Sequence, residues 1–92
     1  MTVRWTPTAL RDLQSLYDYV ADDSVIAAAG GAEHILDAID ALERHPLMGR
    51  RGRGAGTREL IVNPYIVAYR VHESVIELLG IIHGARRWPD SF

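Results

Sequence analysis

The 92-residue chain contains no cysteine, and every one of its ten basic side chains is arginine, none lysine. Without cysteine there is no disulfide framework, no thiolate metal site and no cysteine nucleophile. Without lysine, the glycine-rich stretch Leu47 to Gly56, LMGRRGRGAG, cannot be a phosphate-cradling G-x-x-x-x-G-K-[ST] loop, and a strand follows it where such a loop needs a helix. Long apolar runs are also absent. None approaches the ~20 residues of a membrane span, and no secretory signal precedes Arg4, so a soluble cytoplasmic protein is expected. The four histidines, His34, His45, His72 and His83, lack metal-site spacing, and Ser15, Ser24, Ser74 and Ser91 lack a nucleophile-elbow setting. No metal and no cofactor are expected.

What is present is unevenly charged. The formal net charge is −2, yet residues 1–45 carry three arginines against eight acids and residues 46–92 carry seven against four. Arginine's planar fork suits pairing with carboxylate or phosphate. The polarity predicts one basic face and does not describe a protein that coats nucleic acid. At this length one domain spanning residues 1–92 and a single modest core are expected.

Val3 and Trp5 suggest a short edge strand. Thr6 is placed to cap a helix that Pro7 opens, with Leu10, Leu13, Tyr17 and Val20 on its apolar face and Leu16 beside them. Ser24 caps a second helix running to about Arg44, with the stripe Ile35, Ile39 and Leu42, before His45-Pro46 ends it. Gly30-Gly31 inside this helix predicts close helix–helix packing at a small-residue patch, the alternative being a break. Arg50, Arg51 and Arg53 make the following loop a mobile basic segment that contacts an anionic partner, or else an ordinary solvated connection.

From Thr57 onward the pattern turns to period two. Arg58 to Val62 is a strand, Asn63-Pro64 a turn, and Tyr65, Val67, Tyr69 and Val71 share one face of the next strand. Val67 and Tyr69 are expected under the helices. His72-Glu73-Ser74 turns into a last strand, Val75 to Ile82, that is apolar at both parities: Ile76, Leu78 and Ile82 against Val75, Leu79 and Ile81. A two-layer domain buries one face well, so the surplus predicts a partner. The expected fold is α+β in the order β-α-α-β-β-β, an N-terminal edge strand and a helical hairpin on a three- to four-stranded antiparallel sheet.

Arg58, Arg70, His83, Arg86 and Arg87 are the one group with chemical potential. Converging, they would hold a phosphate with His83 moving a proton. The other reading is an ion-paired sheet face with Glu59, Glu73, Glu77 and Asp90.

Three stretches, TPTALRDLQSLYDYVADDS, ERHPLMGRRGRGAGTRELIVNPYIVAYRV and IELLGIIHGARRWP, together resemble the RelE/ParE superfamily of toxins from type II toxin–antitoxin modules. The resemblance covers nearly the whole chain. It implies a cognate ParD- or RelB-like antitoxin whose tail wraps the toxin, with antitoxin contacts at Leu10, Leu13, Tyr17, Arg58, Arg70, Leu79 and Ile81. Operator DNA would be bound only through that antitoxin. The RelE-like branch cuts messenger RNA on the ribosome without a metal; there, Arg58, His83 and Arg86 would be the catalytic residues. That branch typically has an arginine after the tyrosine that opens the next strand, where this chain has Ile66, and a second strand lysine where it has Leu60. Phe92 replaces a C-terminal tyrosine. The sequence pI of about 6.0 also suits a ribosome binder poorly. The His-Gly-Ala-Arg ending resembles the ParE-like branch, which inhibits DNA gyrase and is not an enzyme. In that branch Arg50, Arg51, Arg53, His83, Arg86, Arg87 and Trp88 would contact the target. A third alternative is a member of the superfamily that binds its antitoxin without being toxic.

Overall fold

The structure, a computed structural model, describes residues 1–84; the expectations for Arg86, Arg87, Trp88, Asp90 and Phe92 lie outside these. The elements run β1 (Thr2–Trp5), α1 (Pro7–Ala21), α2 (Val25–Arg44), β2 (Arg50–Arg51), β3 (Arg58–Val62), β4 (Tyr65–His72) and β5 (Val75–His83). Both helices begin as their caps dictate. The Thr6 hydroxyl accepts the Ala9 N–H at 3.2 Å and the Ser24 hydroxyl accepts the Ala27 N–H at 3.1 Å, each satisfying a donor the first turn leaves open. Thr6 also donates its hydroxyl to the Leu78 carbonyl at 2.7 Å, tying the start of α1 to β5.

The helical hairpin lies on one sheet of order β1-β5-β4-β3-β2. This sheet has five strands and is mixed, where three or four antiparallel strands were expected. β3, β4 and β5 form the antiparallel meander, but β1 runs parallel to β5, with Thr2 opposite Val75 and Trp5 opposite Leu78. β1, the first strand in the chain, occupies the edge of the sheet beside β5. β2, a two-residue strand beside Arg58 and Glu59, replaces part of the expected loop; two residues are too few to show an alternation.

Ala9, Ile35, Ile39 and Leu42 of the helices meet Leu60, Val62, Val67, Tyr69, Ile76, Leu78 and Ile81 of the sheet. Val67 and Tyr69 are fully buried there, as the alternation of β4 requires. Ile81 is the departure. Between Ala68 and Tyr69 the register shifts, because Ala68 pairs with Gly80 and Tyr69 with Leu78, leaving Leu79 as the extra residue of a bulge. A one-residue slip exchanges faces, so Ile81 joins Ile76 and Leu78 in the core. Leu79 is buried as well. The open second face inferred from double parity is therefore not presented by Leu79 or Ile81.

Two helix readings also change. α1 turns Ala9 inward with Leu13 and Leu16, leaving Leu10 exposed. Asp12, a charged residue on the same helix, accepts the Ile81 N–H at 2.9 Å, satisfying a donor on the side of β5 beyond the reach of β1. In α2, added Cβ atoms at Gly30 and Gly31 would meet nothing within 4 Å, and the helix is continuous through them. Neither close packing nor a break explains this pair. Since a glycine in a helix interior costs about 1 kcal/mol relative to alanine, the double variant Gly30→Ala/Gly31→Ala is expected to be more stable by about 2 kcal/mol. Thermal denaturation should show a midpoint higher by several degrees; an unchanged or lowered midpoint would mean that this face is packed in solution.

Candidate functional site

Four arginines of the basic half, Arg50, Arg51, Arg53 and Arg58, gather at the junction between the end of α2 and the β2–β3 edge. Two buried side chains organise it. The first is Tyr69, whose hydroxyl donates to the Pro46 carbonyl at 2.8 Å and accepts the Gly49 N–H at 2.9 Å. Burial raises the Tyr69 pKa above its ordinary value of 10.0, while the Gly49 bond and the nearby Arg58 charge oppose the rise. The fit is close: a Cβ at Gly49 would stand 2.6 Å from the Tyr69 hydroxyl oxygen and 2.9 Å from the Glu59 carbonyl, so only glycine fits at this position. The second is Glu59, 2 % exposed. Arg50 donates Nη2 and Nε to its Oε1 at 2.8 and 3.1 Å, and the backbone N–H of Arg53 donates to its Oε2 at 3.2 Å. A buried carboxylate persists only when paired and hydrogen-bonded in this way.

These contacts decide what each arginine is available to do. Arg58 spends Nη1 on the carbonyls of Gly49 at 2.8 Å and Leu47 at 3.3 Å. Arg70 lies 3.9 Å from Glu77, which Arg4 also pairs. Beyond Arg50, the loop closes on itself. Gly52 donates its N–H to the Thr57 carbonyl at 2.8 Å, Thr57 donates its hydroxyl to the Gly54 carbonyl at 2.6 Å, and Gly56 holds a φ of +71° open only to residues that tolerate the left-handed region. The segment expected to be mobile is thus a built turn. Thr57 and Glu59, both buried, are what sequence reasoning missed; a single carboxylate on an alternating strand gave no sign of which way it faced.

The group proposed to converge does not do so among the described residues. Arg58 stands beside Tyr69 and His83 beside Tyr65 in the β4 register. Four residues of strand place them roughly 13 Å apart along β4, and they occupy strands on opposite sides of it, a further 10 Å or so. His83 packs edge-on against the Tyr65 ring, centroids 5.8 Å apart. The ion-paired face is what Arg4, Arg50 and Arg70 make with Glu59 and Glu77. Of the residues expected to meet an antitoxin, Leu10 is exposed and Leu13 and Tyr17 are half-buried on α1, whereas Leu79 and Ile81 lie inside the chain. Among the described residues, no helix is long and apolar enough to cross a membrane.

Three comparisons bear on this arrangement. The family described as the ParE toxin of the type II toxin–antitoxin system, parDE, matches residues 3–88. A protein of Sinorhizobium fredii named "Putative toxin Y4kP" is 42% identical over 89 residues, covering 95% of this chain and 92% of the relative. Toxin RelE2 of Caulobacter vibrioides is 33% identical over 84 residues, covering 91% and 96%. Among solved structures, the chromosomal ParDE toxin–antitoxin system of P. aeruginosa superposes with a TM-score of 0.80 at 27% identity, covering 90% of this chain and 95% of that one. The RelBE2 toxin–antitoxin complex of Mycobacterium tuberculosis gives 0.59 at 30% identity, covering 89% and 95%.

The Tyr69 contacts lead to a prediction about alkali. A tyrosine whose folded pKa is raised binds its proton more tightly folded than unfolded. Its contribution is fully present below about pH 10 and is lost as pH rises through the folded value. Tyr69→Phe is expected to cost about 1–3 kcal/mol at neutral pH, since the Gly49 N–H is left without its acceptor. Urea denaturation across the alkaline range should show wild type losing stability more steeply than Tyr69→Phe; parallel curves would mean that the hydroxyl is not held as described.

Proposed function

Because the chain belongs to the ParE toxin family of type II toxin–antitoxin systems, we propose that it arrests growth by inhibiting DNA gyrase, without chemistry of its own, until a cognate antitoxin binds it directly. One observation carries the choice of target. The arginine that an RNA-cutting site would need on β3, Arg58, has its guanidinium turned onto the carbonyls of Leu47 and Gly49. A guanidinium bound in this way is not aimed at charge that develops on a phosphate. Leu60 and Ile66 supply no cation in its place, and both are buried. A protein that acts by occupying its target needs no such constellation, and the superposition on the ParDE system supports the same branch.

The antitoxin is proposed to lie along α1, over Leu10, Leu13 and Tyr17. An exposed leucine such as Leu10 flanked by half-buried apolar neighbours is the kind of strip onto which a disordered tail orders, at the cost of its own freedom. The target side is proposed at the basic loop and at the chain's His83 end, where Arg86, Arg87 and Trp88 follow. Cytoplasmic action is part of the proposal.

Messenger-RNA cleavage on the ribosome is the second reading, favoured by the 33% identity to Toxin RelE2. Pulse labelling of DNA and protein synthesis after induction of this chain alone separates the two. DNA synthesis is expected to fall first. Collapse of protein synthesis within minutes, while DNA synthesis continues, would overturn the gyrase reading and make Arg58, His83 and Arg86 the residues to mutate.

A further inference from the structure

The loop between α2 and β3 carries three arginines, and the structure does not use them alike. Arg50 is bound to the buried Glu59 carboxylate through Nε and Nη2. Arg53 gives Glu59 its backbone N–H and lies 3.8 Å from it through Nε. Arg51 is exposed, and among the described residues no acid or carbonyl pairs with its guanidinium. Its backbone is nonetheless fixed, because β2 pairs it with Arg58. Residues directly opposite in an antiparallel pair share a face, so Arg51 emerges on the side where Arg58 grips the Leu47–Gly49 turn. That turn presents Leu47, 61 % exposed, and Met48, 51 % exposed. A guanidinium unpaired among the described residues is therefore displayed on fixed backbone at this edge, three and four residues along the chain from two exposed apolar side chains.

We propose that Arg51, Leu47 and Met48 form the contact through which this chain grips its target, and that the matching surface is an acidic, partly apolar patch on a protein. Arg50, Arg53 and Arg58 serve to hold Arg51 in place. The proposal rests on the toxin reading above. Number and surroundings decide between protein and nucleic acid. Nucleic-acid binding is driven by many phosphate contacts, about 6–10 in a strongly salt-dependent binder, and among the described residues this edge offers one uncommitted arginine, on a chain of net charge −2. Arginine and methionine beside apolar surface are instead what protein interfaces enrich. The Glu59 clamp and the closed turn at Thr57 order the edge before any partner arrives, which lowers the entropy lost on contact.

The test uses the full chain, induced alone in a growing host, with Arg51→Glu, Arg51→Ala and Arg50→Ala beside wild type and the thermal midpoint of each purified protein. Arg51→Glu and Arg51→Ala are expected to keep the wild-type midpoint and to raise colony survival after induction by about tenfold or more, the loss that truncating an interface arginine produces. Arg50→Ala is expected to lower the midpoint. If wild type arrests growth and both folded Arg51 variants arrest it equally, this proposal is overturned while the toxin reading stands. If wild type itself leaves growth untouched, both fall together. Fluorescence anisotropy with a labelled DNA duplex at physiological salt covers the nucleic-acid case: micromolar binding by wild type that Arg51→Glu abolishes would overturn the assignment to a protein surface.

Discussion

The rest of the structure depends on one buried hydroxyl. Tyr69 sits at the centre of the sheet with no exposed surface, and its oxygen would be an unpaid polar burden in an apolar core were it not donating to Pro46 and accepting from Gly49. Those two bonds reach across 20 and 23 residues of chain. They pin the place where α2 stops, and hence where the chain turns back to become β2. Once that turn is fixed, Arg58 can reach its carbonyls, Glu59 can collect Arg50 and Arg53, and the edge that carries Arg51 has a defined shape. The side chain that fills the core therefore also sets the geometry of the surface.

Charge is handled in the same economical way. Half of the chain is basic, yet most of those cations are absorbed internally. Glu59 serves two residues of the loop and Glu77 serves Arg4 and Arg70. Glu77 and its partners lie nearer solvent, where such pairs contribute little to stability. Glu59 differs because it is buried: removing its partners would strand a charge. A count of arginines thus overstates how much positive surface is available to a partner.

Much of the fold was legible in the residues, and the reason is local. Thr6 and Ser24 start helices by satisfying their first donors, His45-Pro46 stops one, and the period-two pattern of Tyr65 to Val71 puts Val67 and Tyr69 on one buried face, with Ile66 and Ala68 of the other face buried as well. What escaped reading is set by contacts between distant segments. At the bulge beside Leu79, β4 and β5 slip against each other, and the one mark of it within β5 is Gly80, since an isolated glycine in a strand pattern suggests a bulge; that slip moved Ile81 into the core. The inward turn of Asp12 depends on Ile81, 69 residues away, whereas the burial of Glu59 and the commitment of Arg58 to carbonyls depend on how the loop just upstream of β3 folds back over that strand. The candidate site suffered most, because a charged side chain advertises its type in sequence but not its partner. Gly30 and Gly31 stand apart: the structure supplies no physical reason for them.

The parallel pairing of β1 with β5 has a consequence in time. Thr2 is made well before its partner Val75, which emerges 73 residues later. At ribosomal rates of roughly 5–20 residues per second, the first strand waits about four to fifteen seconds with its edge unmatched. Contacts of such long sequence separation must pay their loop-closure entropy before they return anything. The sheet therefore closes late, when β5 is available to both β4 and β1. A nascent chain shorter than this holds neither the finished sheet nor the anchorage of α1 at Leu78. The sheet, and with it the seat of α1, is complete only once β5 has been made.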